Sequence, residues 1–172
     1  MLNKQQRVAV AVDVLQRLKL GQYQMAQAIY VNVYEMDIPE SKQLDVQKFF
    51  KGKTCEVCAR GALVLSKAAL FNGLVFDPKV GSNSEDELED RLYEFLAKES
   101  LKVFGPKQGE LIETAFEGKN LIRNRTGIGG TSKITTEENL ALAFHLKHRP
   151  DKENLLREIM INVIEHGGVF KP

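Results

Sequence analysis

The chain has 172 residues, 43% of them hydrophobic and 27% charged, the balance of one globular domain able to bury a sizeable core. Its 24 basic and 23 acidic residues leave a net charge of +1, which excludes a global field for nucleic acid or an anionic membrane and confines any such site to a local patch. No apolar stretch is long enough to span a bilayer, and two cysteines give no disulfide framework, so a cytoplasmic, reducing setting is expected.

Helical periodicity dominates from the first residues. Between Lys4 and Lys19, the positions Val8, Ala11, Val12, Leu15 and Leu18 recur at three- and four-residue intervals and predict an amphipathic helix. Asp13 and Arg17 interrupt this stretch, and it lacks a signal-peptide cleavage pattern. Gly21 punctuates. Tyr23, Ala26, Ile29, Tyr30 and Val33 then predict a second helix, although Ile29, Val31 and Val33 also alternate as a strand would. Glu35 to Lys53 reads as a long connection through Pro39 that returns to the core at Phe49 and Phe50.

A helix carrying both cysteines follows, running to about Leu70 and stopping at Asn72-Gly73. A short apolar LVF at 74–76 leads into Asp77-Pro78 and the polar turn KVGSNS. Ser84 and Glu87 form a capping box for a helix with Leu88, Leu92, Phe95, Leu96 and Val103 on one face. Glu99 falls within that apolar stripe and calls for a cation at its edge. Pro106 suits a first helical position, and LIETAF (111–116) makes a short helix closed by Gly118. A long Gly-rich loop comes next. Thr135 and Glu138 form a second capping box, opening a helix through about His148. The last helix starts at Pro150-Asp151, carries Leu155, Leu156, Ile159, Met160 and Val163, and closes at Gly167. The expected fold is all-α, a compact single domain over 1–172 of six or seven helices with no convincing sheet.

The cysteine stretch TCEVCARGALVLSKAAL poses the sharpest chemical question. At about 100° per residue, Cys58, Ala62, Leu65 and Ala69 share one sector, with Glu56, Arg60 and Lys67 opposite. That arrangement predicts Cys58 as a small buried hydrophobe among alanines, with Cys55 at the edge of the face. A zinc site would join Cys55 and Cys58 to His145 and His148, but the knuckle glycines and turns usual around such ligands are missing. A thioredoxin-like dithiol would need a strand ahead of it, and QKFFKGKT is not a persuasive one. A cysteine–histidine nucleophile pair rests on nothing beyond the presence of both residue types.

The loop after Gly118 is the candidate ligand site. Lys119, Arg123, Arg125 and Lys133 surround Gly127, Gly129 and Gly130, and glycines let backbone amides approach a phosphate that cations attract. It is not a Walker A loop, because Ser132 stands where the second glycine belongs, and it lacks the aromatics that single-stranded nucleic acid would stack on. The bland alternative is a solvated polar loop. Glu110, Glu113 and Glu117 share a helical face and could serve acid–base or cation chemistry, although such a row is more often a solvent face.

Three blocks, Cys58-Ala-x-Gly-Ala-Leu63, Leu111-Ile-Glu-x-Ala-Phe-Glu117 and Ile159-Met-x-Asn-Val-Ile164 with Gly168-x-Phe-Lys-Pro172, resemble a group of small uncharacterised proteins of phages and bacteria. The resemblance covers the last two-thirds of the chain, and its motifs are mainly packing residues. It implies a phage or mobile-element accessory context and supplies no catalytic residue; only Cys58 belongs to the pattern as a candidate. The expectation is therefore a non-enzymatic binding protein without a cofactor, acting on a host protein. The alternatives are a nucleotide or small-anion binder using the 119–133 loop and a zinc-stabilised domain or enzyme. A homo-oligomer is compatible with the sequence, though no heptad seam argues for one.

Overall fold

Asn3 starts the first helix through a capping box: its side chain accepts from the Gln6 amide at 2.9 Å, and the Gln6 side chain accepts from the Asn3 amide at 3.0 Å. Helix α1 (Lys4–Lys19) follows, then β1 (Tyr23–Met25), β2 (Leu44–Asp45), α2 (Val46–Phe50), β3 (Cys55–Val57), α3 (Ala59–Phe71) and β4 (Val75–Phe76). Among the described residues four further helices follow: α4 (Glu85–Phe104), α5 (Pro106–Glu117), α6 (Thr136–His148) and α7 (Lys152–Glu165). The computed structural model describes residues 1–26, 31–32, 37–39, 42–71, 73–78, 85–118, 135–148 and 151–172, without the side chains of 85–87. Within them the fold is predominantly α-helical, and one hydrophobic cluster runs through all seven helices.

Helix α3 is the axis of the packing. Helices α1, α2, α4 and α5 all lie against it, α7 packs on α1 and α5, and α6 packs on α5 and α7. Its small residues Ala59, Gly61, Ala62, Ser66 and Ala68 are all buried, letting these neighbours approach on several sides. Encirclement buries even the side opposite the predicted apolar sector: Arg60 there is only 5% exposed. Its guanidinium meets Glu113 on α5 at 2.6 Å, Ser100 Oγ at 3.0 Å and the Ala97 carbonyl at 3.2 Å, so the buried charge has its partners. Glu113, expected on a carboxylate face of α5, is largely withdrawn into that ion pair.

Several other expectations are met or corrected by packing. Glu99 does find its cation: Lys67 reaches it from α3 at 2.8 Å, and Lys102 joins from the next turn of α4. The last helix buries all five residues of its predicted stripe, Pro106 opens α5, and Gly118 closes it in the left-handed conformation at φ 68°. The Thr135–Glu138 box is present in both directions, whereas the Ser84–Glu87 box lies outside the described residues. In α1 the buried face is Val10, Ala11, Val14 and Leu18, and Val12 is exposed. The stripe is rotated because α1 must face both α3 and α7.

The larger correction concerns strands. Residues 23–25 were expected to be helical and instead pair in parallel with Cys55–Val57, in the register Tyr23↔Cys55 and Met25↔Val57. Val31 adds an antiparallel bridge to Val57, and a second short ladder joins Leu44–Asp45 to Val75–Phe76. Val57 is thus paired on both sides and fully buried, which a solvated helical turn could not supply. The cysteine helix accordingly begins at Ala59, four residues later than Cys55. Of the earlier second stripe, Ile29, Tyr30 and Val33 lie outside the described residues.

The C-terminal segment is clamped onto the helices. Phe170 is buried and meets Phe144 edge-on at 5.4 Å. The Asn162 amide both donates to the Lys171 carbonyl (2.8 Å) and accepts from the Lys171 amide (2.9 Å). Gly168, at φ 88°, lies so close to the Lys4 backbone that a Cβ would stand 2.4 Å from the Lys4 carbonyl oxygen.

Candidate functional site

A cleft of about 400 Å³ opens between the C-terminal turn of α1, strand β1, helix α2 with its following turn, and helix α3. The first wall comes from α1. Arg17 pairs with Asp13 one turn back at 2.6 Å and also donates to the Gln22 side chain at 3.4 Å, so its head group is held where it lines the cleft. Leu20 and Gly21 turn the chain, Gly21 at φ 67°, and deliver Gln22 and Tyr23 to the same wall. Tyr23 is buried; its hydroxyl lies 3.1 Å from Ser66 Oγ, and burial foremost pushes the phenol above its usual range.

The opposite wall is short and strongly cationic. Asp45 caps α2 by accepting from the Lys48 amide at 3.2 Å. The helix lasts five residues and ends in a tight turn in which the Lys53 amide donates to the Phe50 carbonyl at 3.2 Å. Lys51 sits there at φ −62°, ψ 120° and Gly52 at φ 76°, the pair of conformations that defines a type II turn and favours glycine at its third position. The turn sets Lys51 and Lys53 two residues apart beside Lys48, and Lys53 Nζ rests 3.7 Å from the Phe49 ring centroid. Leu65 and Ala69 of α3 line the cleft, where Gln47 donates to the Ala69 carbonyl at 2.9 Å.

Arg17, Lys48, Lys51 and Lys53 line this cleft, and among the described residues no aspartate or glutamate does. Asp13 and Asp45 touch two of the cations from outside the lining. Burial works against the charge on Arg17, but the neighbouring Tyr23 and Asp13 outweigh it and raise its pKa. Such a concavity concentrates positive potential that a single exposed lysine would lose to solvent.

No family model, curated protein or solved structure matches the chain.

The two cysteines face different surroundings. Cys55 lines the cleft, its thiol raised by burial against the opposing charges of Lys53 and Arg17. Cys58 stands just ahead of α3, is 4% exposed, and has its thiol pushed up to about 12 by burial. The amides of Gly61 and Arg60 oppose that rise, and the charged neighbours of Cys58 are Glu117 and Glu113 on α5. Both thiols are free. The expected inward position of Cys58 is what the packing shows, although it precedes the helix.

His145 and His148 lie elsewhere. The His145 Nδ1 is 3.0 Å from the Ala115 carbonyl at the end of α5, and His148 packs against Phe144 at 4.7 Å. Among the described residues no three His, Cys, Asp or Glu side chains converge as a metal site, so Cys55, Cys58, His145 and His148 are not brought together. The anticipated ligand loop, with Lys119, Arg123, Arg125, Gly127, Gly129, Gly130 and Lys133, lies outside the described residues. The cleft itself escaped the sequence reading. Its one local signal was KFFKGK at 48–53, three lysines around a glycine; Arg17 comes to it only through the fold.

Proposed function

We propose that this protein binds a small anionic ligand in the cleft between α1, α2 and α3, and acts by holding it. The observation that carries the reading is the lining: among the described residues, four cationic side chains and no carboxylate around about 400 Å³, a volume within the range of small-molecule sites. Arg17 offers a planar, pre-positioned guanidinium, and Lys48, Lys51 and Lys53 supply ammonium groups that can donate to a phosphate or carboxylate. The α2 turn is the anion site proposed here, and the 119–133 loop lies outside the described residues.

Thermal unfolding of the whole chain in the presence of inorganic phosphate, pyrophosphate and nucleotides tests the proposal. A ligand at a hundredfold excess over its Kd stabilises by about 2.7 kcal/mol, roughly 5–10 °C for a chain of this size. The shift should shrink with added salt and be lost in the Lys51→Ala/Lys53→Ala double variant. A shift that survives this double variant would place the anion elsewhere, and the absence of any shift would end the proposal.

A further inference from the structure

Resting on that reading, we infer that the ligand joins its anionic group to a planar body with both hydrogen-bond donors and acceptors, the chemistry of a nucleoside monophosphate.

Size is the first argument. At about 30 Å³ per water, the cleft has room for roughly a dozen waters, so a lone phosphate would leave most of it wet. A ligand with on the order of twenty non-hydrogen atoms fits the scale of such pockets.

The chemistry around the lining is also divided. Lys51 and Lys53 come from the exposed turn after α2, whereas Leu65 and Ala69 come from the buried axis helix and offer an apolar surface for a flat ring. An inorganic polyanion has no use for that surface.

Third, two carboxamides stand at the cleft with complementary groups remaining. Gln22 accepts from Arg17 through its oxygen, leaving its NH₂ group to donate. Gln47 donates through its nitrogen to the Ala69 carbonyl, leaving its oxygen to accept. One donor and one acceptor beside an apolar surface match the edge of a nucleobase, as glutamine does when it pairs with adenine in two directions.

Calorimetric titration of the full chain with the four ribonucleoside monophosphates, ribose 5-phosphate and inorganic phosphate separates the possibilities. At least one nucleotide should bind tenfold or more tightly than ribose 5-phosphate. Gln22→Ala and Gln47→Ala should narrow that gap by weakening nucleotide binding more than ribose 5-phosphate binding. Ala69→Leu, which adds bulk beside the apolar surface without touching a cation, should remove the nucleotide preference and spare phosphate binding. It also serves if Gln47→Ala disturbs α2. Nucleotide and ribose 5-phosphate binding equally would overturn the inference and leave the anion site standing. Failure of every phosphate compound to bind would overturn both.

Discussion

Replacing Arg60 with methionine removes the charge at the centre of the fold while keeping most of its volume. Arg60 is 5% exposed, and the Glu113 side chain that answers it at 2.6 Å is 14% exposed, so water can only partly take over the carboxylate once the guanidinium is gone. Ser100 Oγ loses its guanidinium donor at the same time, while the Ala97 carbonyl keeps the Ser100 hydroxyl. Breaking a buried pair by deleting one partner costs about 3–5 kcal/mol, and the residual exposure of Glu113 places this case near about 3 kcal/mol. The pair as a whole contributes far less, because desolvation of two ions offsets most of their attraction. Arg60→Met/Glu113→Leu should therefore recover to within about 1 kcal/mol of the parent chain. Urea unfolding monitored by circular dichroism measures both, with an unchanged m-value showing that the denatured state is not the cause. A single variant costing under about 1 kcal/mol, or a double variant as unstable as the single, would refute the view of Arg60–Glu113 as a buried, mutually dependent pair.

Three further outcomes are expected. Gly168→Ala should cost about 3 kcal/mol or more, since φ 88° and a Cβ 2.4 Å from the Lys4 oxygen combine, whereas Gly167→Ala, at φ 60° in open space, should cost about 1 kcal/mol; equal costs would mean that the C-terminal clamp is not seated. Burial works against ionised Glu99, but Lys102 and Lys67 lower its pKa below the usual value, so its contribution is present above the unfolded carboxylate pKa and is lost as pH falls through the lower folded one. The stability gap between the parent chain and Glu99→Gln should thus be full at neutral pH and shrink in acid; urea titrations that show a constant gap would exclude the linkage. Cys58, held protonated by burial, should resist iodoacetamide at pH 8 until the chain unfolds, and mass spectrometry showing prompt modification of the native protein would place that thiol at the surface.

What the residues disclose on their own depends on how local the cause is. The α7 stripe, the Thr135 cap, the Gly118 stop and the cation beside Glu99 follow from contacts within a turn or from a charge that must be answered. Tyr23–Met25 and Cys55–Val57 could not be read this way, because three-residue strands pairing across some thirty positions carry too little periodic signal to compete with a helical pattern. The burial of Arg60 was hidden for a related reason: a helical wheel assumes one solvent face, and α3 has neighbours on several sides. The same non-locality hid the cleft, whose Arg17 and Lys51 are brought together only by the β1–β3 pairing and the turn at Gly52.

Amide chemical-shift mapping during titration with a nucleoside monophosphate locates the bound anion residue by residue. Binding in the cleft should perturb the amides of 17–23 and 47–55 together with Leu65 and Ala69, saturably and with reduced amplitude in Lys51→Ala/Lys53→Ala. Perturbations confined to 119–133, or spread weakly over the surface without saturation, would show that these four cations do not form a binding site.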